Sequence, residues 1–495
     1  MLNRKAIFQI AVAITSFLGV LTHNAAATEI APSPFNPSGN TITISTPDIT
    51  SYAAPYENSG DITITNGGKL TNYDEFTNLR GTFSINSGGR LANNGVFTVD
   101  FVALLKNDGI IDNNKSFKNS WDFYNNPTGV FNNAFGAGLT NTQTMNNSGS
   151  VVNAGNFLNN YDQLSLTVAT LQNSGNWTNT AGSSFTNYGT VLSFDTINNS
   201  GHMINTIVGS GGYGQGTFDH HGILNNLAGG VIDNEQRWFN RLVTGPGTSP
   251  SVINNSGIFN NGRFGIGGMG NDGIINNLAG GTFNNAGSLA NNSQINNAGN
   301  FIINVGSSVN GGSGIVGTYT QTAGLTNVNG SLAGSVIDIQ GGTLNGSGTI
   351  SGPVLLGTAA ALNPGNSPGT LTINGNLTSS GKMIFEIGGL GIGQYDELKI
   401  NGAALFTGGT LEFDFINGFS AAAGNSWDFL FANSYSGQNT LNYTFNGLAP
   451  GLQGIVTFNT NHWNLSVTSV PVPATVWLFG SGLLGLLGVA RRRAV

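Results

Sequence analysis

The chain of 495 residues contains no cysteine. Disulfides, thiolate metal sites and cysteine nucleophiles are therefore excluded, and stability must come from packing and hydrogen bonds. Charge is also scarce, at 8% of residues against 39% hydrophobic, and no basic residue lies between Arg263 and Lys382. Binding to nucleic acid needs clustered Lys and Arg to displace phosphate counterions, and this balance disfavours it. What is abundant is Gly, at 75 residues, with Asn nearly as frequent. Such a composition raises the possibility of a disordered tract, and periodicity has to decide.

The N-terminus reads as an export signal. Arg4 and Lys5 precede an apolar run from Ala6 to about Leu21, and Ala25, Ala26 and Ala27 supply the small residues a signal peptidase accepts. Residues 1–27 are thus expected to form a signal helix, cut between Ala27 and Thr28. Five of the 16 basic residues lie in the two ends, so a processed product carries 16 − 5 = 11 basic and 23 acidic residues, a net of 11 − 23 = −12.

The interior repeats. In FNNAGSLANNSQINNAGNF, residues 283–301, Phe283, Leu289, Ile295 and Phe301 stand six apart. That spacing suits a strand, whose period is two, better than a 3.6-residue helix. The same step links Ile111, Phe117 and Phe123, then Met145, Val151 and Phe157, then Val191, Ile197 and Met203. Steps of eight join such runs, as from Phe123 to Phe131, Trp177 to Phe185, Leu224 to Ile232 and Ile275 to Phe283. Six, six and eight make a coil of about twenty residues, the signature of a solenoid. The expected fold is all-β, a parallel β-helix with large apolar side chains pointing inward. Asn and Gly take the corners, where left-handed or tight backbone favours them. Stacking at roughly 4.8 Å would also let Asn side chains form amide ladders along the axis. Residues 54–304 would give about twelve coils, some 60 Å in length, with almost no helix between the end segments.

The expected organisation places an N-terminal β cap at 28–53 and Asn/Gly-rich coils at 54–309. From about residue 310 the Asn pairs vanish, and GTYTQTAGLTNVNGSLAGSVIDIQGGTLNGSGTISG, LNPGNSPGTLTINGNLTSSGKMIFEIGG and DELKINGAALFTGGTLEF follow. This stretch, 310–415, resembles the passenger-associated repeats of autotransporter adhesins, which implies further β-helix coils. After 415 no run of ten-residue alternating segments could build an outer-membrane barrel, and the chain ends Ala494-Val495 without a terminal aromatic. Residues 416–468 are expected to cap the open edge.

Motifs with chemical potential are few. GxGxxG occurs at Gly209-Gly211-Gly214, Gly265-Gly267-Gly270, Gly312-Gly314-Gly317 and Gly480-Gly482-Gly485, but none is expected to open a helix after a strand, so no cofactor is implied. Gly365-Asn366-Ser367-Pro368-Gly369 fits a nucleophile elbow on paper, yet Pro368 lacks the N–H that would serve as oxyanion donor, and a turn is expected. Asp219-His220-His221 holds the one imidazole pair. Neighbours on a strand face opposite ways, so a surface turn is preferred to a metal site. The closest acidic groupings, Asp74-Glu75, Asp233 with Glu235, and Asp396-Glu397, are too scattered for a polysaccharide lyase or hydrolase site. No catalytic, cofactor or metal residue is assigned.

The C-terminus reads VPVPATVWLFGSGLLGLLGVARRRAV. Ala474 to Ala490 is a short apolar stretch, about 25 Å as a helix, softened by Gly480, Gly482, Gly485 and Gly488. Arg491, Arg492 and Arg493 would sit on the cytoplasmic side of a short transmembrane helix. Val470, Pro471, Val472, Pro473 and Ala474, the apolar run and the arginines, in that order over 470–495, resemble the PEP-CTERM sorting signal of Gram-negative bacteria that make extracellular polysaccharide. Val472 stands where that family has its namesake Glu. The resemblance implies cutting near the prolines by a membrane enzyme, exosortase, after transient contact with the inner membrane. The whole reads as an exported, non-enzymatic surface or matrix protein whose partners are signal peptidase, an exosortase-like enzyme and extracellular polysaccharide. A polysaccharide-degrading enzyme on the same scaffold and an ice- or surface-binding protein are the alternatives.

Overall fold

A computed structural model describes residues 21–22, 29–31, 34–46, 49–51, 55–162, 167–207, 216–242, 250–262, 268–312, 314–471 and 478–486. The chain divides into two compact units, the first ending at Ile337 and the second beginning at Asp338.

The first unit is a three-sided parallel β-solenoid. Each coil contributes one short strand, of four residues in most coils, to each of three sheets. Ile110–Asn113, Ser116–Asn119 and Asp122–Asn125 form one such coil. They stack, in register, on Val130–Asn133, Gly138–Asn141 and Thr144–Asn147 of the next. The strands alternate, with the second and fourth residues inward. At the second position sit the apolar residues that the six-residue spacing singles out, such as Ile111, Phe117, Phe123, Met145, Val151 and Phe157, none more than 1% exposed. In the second sheet the rings stack along the axis: Phe76 to Phe97 at 5.0 Å and Phe259 to Phe283 to Phe301 at 4.9 Å each. Such offset pairs add about 0.5–1.5 kcal/mol each beyond the area they bury.

The fourth position is Asn in most coils; the expected amide ladders are present, and the expected corner role is corrected. These asparagines are not left-handed corner residues; none of them has a positive φ. They turn inward, are fully buried, and form three amide ladders. In the first sheet the ladder runs unbroken from Asn72 through Asn93, Asn113, Asn133, Asn153, Asn179, Asn199, Asn226, Asn255 and Asn277 to Asn297. Each Nδ2 donates to the Oδ1 of the next coil, at 2.7 Å from Asn133 to Asn153. Its other hydrogen goes to a backbone carbonyl beyond the corner, as from Asn153 to Ser184 at 2.9 Å. The position thus needs a side chain that accepts once and donates twice, which only an amide supplies at this length.

Glycines at the corners serve closeness as well as conformation. A Cβ on Gly149 would lie 2.2 Å from the carbonyl oxygen of Gly129 in the coil before, and Gly175 meets Gly149 in the same way. Inserts loop out without breaking the stack: Val151 pairs with Trp177 although a two-stranded antiparallel excursion, Tyr161–Asp162 with Thr167–Val168, intervenes.

In the second unit longer strands continue parallel stacking, for example Lys382–Ile387 on Thr410–Phe415 and then on Asn442–Asn446. Ser426–Ser436, His462–Ser469 and Leu452–Phe458 then pair antiparallel. Trp463 packs there against Phe406, Tyr435 and Phe458.

The C-terminal transmembrane helix expected from hydropathy is not found. Among the described residues no helix is long and apolar enough to cross a membrane. In the tail, α-helix is described over 478–486, about 13 Å, less than half of a hydrocarbon core of roughly 30 Å. Gly480, Gly482 and Gly485 fall within it, and glycine is among the weakest helix formers. Permanent anchoring therefore has no described helix behind it. The signal helix expected over residues 1–27 lies outside the described residues except for Leu21–Thr22, which pair with Ile42–Thr43.

Candidate functional site

With positions two and four inward, positions one and three face out, so the first Asn of each pair lies on the outer surface and the second lies in the inner ladder. On the first sheet this builds an outer amide row. Asn225 donates to Asn198, Asn254 to Asn225, Asn276 to Asn254 and Asn296 to Asn276, at 2.8–2.9 Å. Beside it run Ile223, Val252 and Ile274, in register on adjacent coils. The result is a flat strip of amides and β-branched side chains free of formal charge.

The neighbouring sheet carries a second outer row that ends in ionisable groups. Asn284 donates to Asn260 at 2.8 Å, Asn260 to Asp233 Oδ1 at 2.7 Å, and His202 Nε2 lies 2.8 Å from Asp233 Oδ2. These side chains, with Gly201 and Val231, line an open groove of about 720 Å³. The Asp233 carboxylate is buried beneath its partners while the imidazole of His202 is substantially exposed. Glu235, two residues on, instead accepts from Thr206 Oγ1 at 2.6 Å. The groove therefore offers polar hydrogen-bonding groups in a line, and not a facing pair of carboxylates. Sequence reading missed His202, Asn260 and Asn284 as members of one row, because 31, 27 and 24 residues separate successive partners.

The Asp219-His220-His221 cluster is split by strand alternation. Asp219 faces out, with Arg241 Nε at 3.0 Å and His221 Nε2 at 3.3 Å. His221 stacks on Phe194 at 5.0 Å. His220 is not in a surface turn, as the sequence suggested, but fully buried at the fourth position of Thr217–His220. There it replaces an Asn of the third ladder. Asn147 reaches Asn173, Ser193 and His220 follow, and the ladder resumes from Asn240 to Asn271. The interruption leaves Asn173 Nδ2, His220 Nδ1 and Asn240 Oδ1 without partners, while His220 Nε2 donates to Val252 O at 3.3 Å.

Burial lowers the His220 pKa from its ordinary 6.5 to about 4, and the nearby His221 adds to the shift. The unfolded chain binds this proton first as pH falls, so the stability that neutral His220 permits is intact above about pH 6.5 and is lost towards pH 4. The first unit is expected to lose about 3 kcal/mol over that window from this group alone. Urea titrations at stepped pH check this, and His220→Asn should remove the slope.

In the second unit, Asp396 is buried and accepts from Gly369 N at 2.8 Å and Glu386 N at 2.9 Å. Burial raises its pKa from 3.8 to about 7, against the lowering effect of the two backbone N–H groups. It thus fastens the Gly365–Gly369 turn, in which Ser367 has φ 63° and the Ser367–Pro368 peptide is cis. Glu397 is engaged by Lys399 at 2.8 Å and Thr370 at 3.1 Å. Asp74 and Glu75 are exposed. Among the GxGxxG matches, Gly209, Gly211, Gly214, Gly265 and Gly267 lie outside the described residues, Gly270 is in a strand, and Gly480, Gly482 and Gly485 are inside the short helix. Among the described residues no group of three His, Asp or Glu side chains is placed to hold a metal ion.

Of the residues read as addressing signals, Val470 and Pro471 follow the last antiparallel strand, with Val470 N bonded to Gly451 O at 2.8 Å. Val472, Pro473, Ala474, Arg491, Arg492 and Arg493 lie outside the described residues, as do Ala25, Ala27 and Thr28. No curated protein matches the chain. A protein-family model does: residues 469–493 match the PEP-CTERM protein-sorting motif. The match covers the proline pair, the apolar run and the arginines, the three parts of an exosortase-type address. The chain is accordingly a parallel β-solenoid protein that carries a C-terminal PEP-CTERM sorting motif.

Proposed function

We propose that the chain is an exported, non-enzymatic structural protein of the cell surface or extracellular matrix, delivered by exosortase-type sorting and associated with extracellular polysaccharide. The observation that carries the reading is the outer amide row from Asn198 to Asn296, joined to the sorting motif at 469–493. An uncharged lattice of amide donors and acceptors, repeated once per coil, matches a polymer whose hydroxyls also repeat along its length. Signal peptidase removes the N-terminal segment, and the C-terminal tail is cut after a transient stay at the inner membrane.

Intact-mass measurement of the protein from cell-surface and medium fractions, with polysaccharide co-sedimentation of the same material, tests this. The expected product begins at Thr28, ends near Ala474, and sediments with polysaccharide without releasing reducing sugar. Retention of 475–495 would replace the cut signal by a retained tail. Sugar release would assign the polysaccharide-degrading alternative instead.

A further inference from the structure

Among the described residues of the first unit, one turn places non-glycine residues at positive φ. In the turns closed by Gly89, Ala137, Ser183 and Gly230, the residue before the closing one has positive φ and is Gly88, Gly136, Gly182 or Gly229. In the turn Asp100–Ala103, closed at 3.1 Å, the two central residues are Phe101 with φ 21° and Val102 with φ 57°. A β-branched residue in that region is strained, and strain of this kind clusters where a ligand is held. The strained residues pack nothing into the core: Phe101 is 56% exposed and Val102 47%.

The strain instead builds an aromatic ridge. Arg80 lies over the Phe101 ring at 5.8 Å, and Phe101 meets Trp121 of the next coil at 6.5 Å. Below the ridge is a groove of about 520 Å³, lined by Val102, Trp121 and Tyr124 on the apolar side and by Lys106, Asp122 and Asn126 on the polar side. Trp121 and Tyr124 are 36% and 37% exposed, on a solenoid whose outward positions are otherwise mainly Asn, Thr and Ser. Lys106 and Tyr124 are partners on adjacent coils, as are Leu104 and Asp122.

We infer that this groove is a binding subsite for pyranose units of a polysaccharide, a reading that rests on the proposed polysaccharide association and gives it a place. The apolar C–H face of a pyranose ring lies on the aromatic faces of Trp121 and Tyr124, and its equatorial hydroxyls meet the Lys106 ammonium and the Asp122 carboxylate. Rings that present one apolar face and a polar rim suit a groove with this division, and its volume falls within the usual range of about 300–1,000 Å³ for small-ligand sites. One coil-to-coil step from Phe101 to Trp121 lets successive sugar units continue along the stack.

The test uses the secreted, full mature protein titrated with cello-, xylo-, chito- and alginate hexasaccharides, read by calorimetry and tryptophan emission. Trp177, Trp238, Trp427 and Trp463 are buried and Trp477 lies beyond the expected end of the mature product near Ala474, so a blue shift and protection from acrylamide report on Trp121. At least one oligosaccharide should bind with that shift, and Trp121→Ala should weaken binding tenfold or more without changing the unfolding midpoint. Tyr124→Ala and Lys106→Ala should weaken it several-fold. Val102→Gly should raise the midpoint and weaken binding, since it releases the strain that holds the ridge. Unchanged affinity in Trp121→Ala, with the wild type binding, would overturn this subsite and leave polysaccharide association standing. Failure of the wild type to bind these probes and its own polysaccharide would overturn both.

Discussion

Replacing Asn153 by Asp is expected to split the solenoid's unfolding transition. Asn153 stands in the middle of the eleven-member inner ladder, accepting from Asn133 and donating to both Asn179 Oδ1 and Ser184 O. Aspartate has nearly the same shape and can still accept from Asn133, but it donates nothing when ionised. It would instead set a buried carboxylate against two oxygens that have lost their donors. An uncompensated buried charge costs about 3–5 kcal/mol, and the two unsatisfied acceptors add to that. Asn153→Ala, which removes the amide without adding charge, should cost less, about 2–4 kcal/mol. In a stack where each coil touches only its neighbours, a central defect also weakens the coupling between the coils on either side. Urea unfolding followed by circular dichroism should therefore become biphasic in Asn153→Asp. Part of the loss should return at acid pH, where a protonated carboxyl regains one donor. A single transition with an unchanged midpoint would mean that the ladder is incidental to stability.

The second large effect concerns a residue with no side chain. At Gly149 a Cβ would lie 2.2 Å from Gly129 O, 2.3 Å from Asn126 O and 3.0 Å from Asn125 Nδ2. Two of these neighbours are backbone of the preceding coil and cannot rotate away. Gly149→Ala therefore has to push two coils apart or tilt a corner, which would stretch the hydrogen bonds from Gly149 N to Asn125 O at 3.2 Å and from Ser150 N to Gly129 O at 2.9 Å. Overpacking of this kind costs about 1–3 kcal/mol in an adaptable core, and a rigid backbone stack should sit at or above the top of that range. At Gly182, by contrast, a Cβ meets nothing within 4 Å, and the penalty of Gly182→Ala comes only from its φ of 80°. Thermal unfolding of the two variants separates crowding from backbone strain: Gly149→Ala should lose clearly more. Equal losses would assign both glycines to conformation alone.

These predictions rest on different kinds of legibility. The six-six-eight spacing of Ile111, Phe117, Phe123 and Phe131 contains the coil, because a strand's period of two and a corner of two to four residues leave no other closed arrangement. The alternation within VFNN or TMNN likewise tells which Asn is inward once the apolar residue is placed. The sorting motif is legible because it is read as a linear string, whatever the solenoid does. At the same tail hydropathy pointed to a transmembrane helix, whereas among the described residues no helix is long and apolar enough to cross a membrane.

What the chain order by itself determined is the repeat, its inward apolar residues and its address. What only the tertiary structure decided is which residues of different coils meet. His202 reaches Asp233 across 31 residues, and His220 enters a ladder position whose neighbours lie on other coils. Loops of differing length separate these partners, so their sequence spacing carries no period. The stacking of backbone hydrogen bonds absorbs each insert as an excursion and restores the register beyond it. A side chain's neighbours above and below are thus set by that register, a property of the assembled stack that no local pattern encodes.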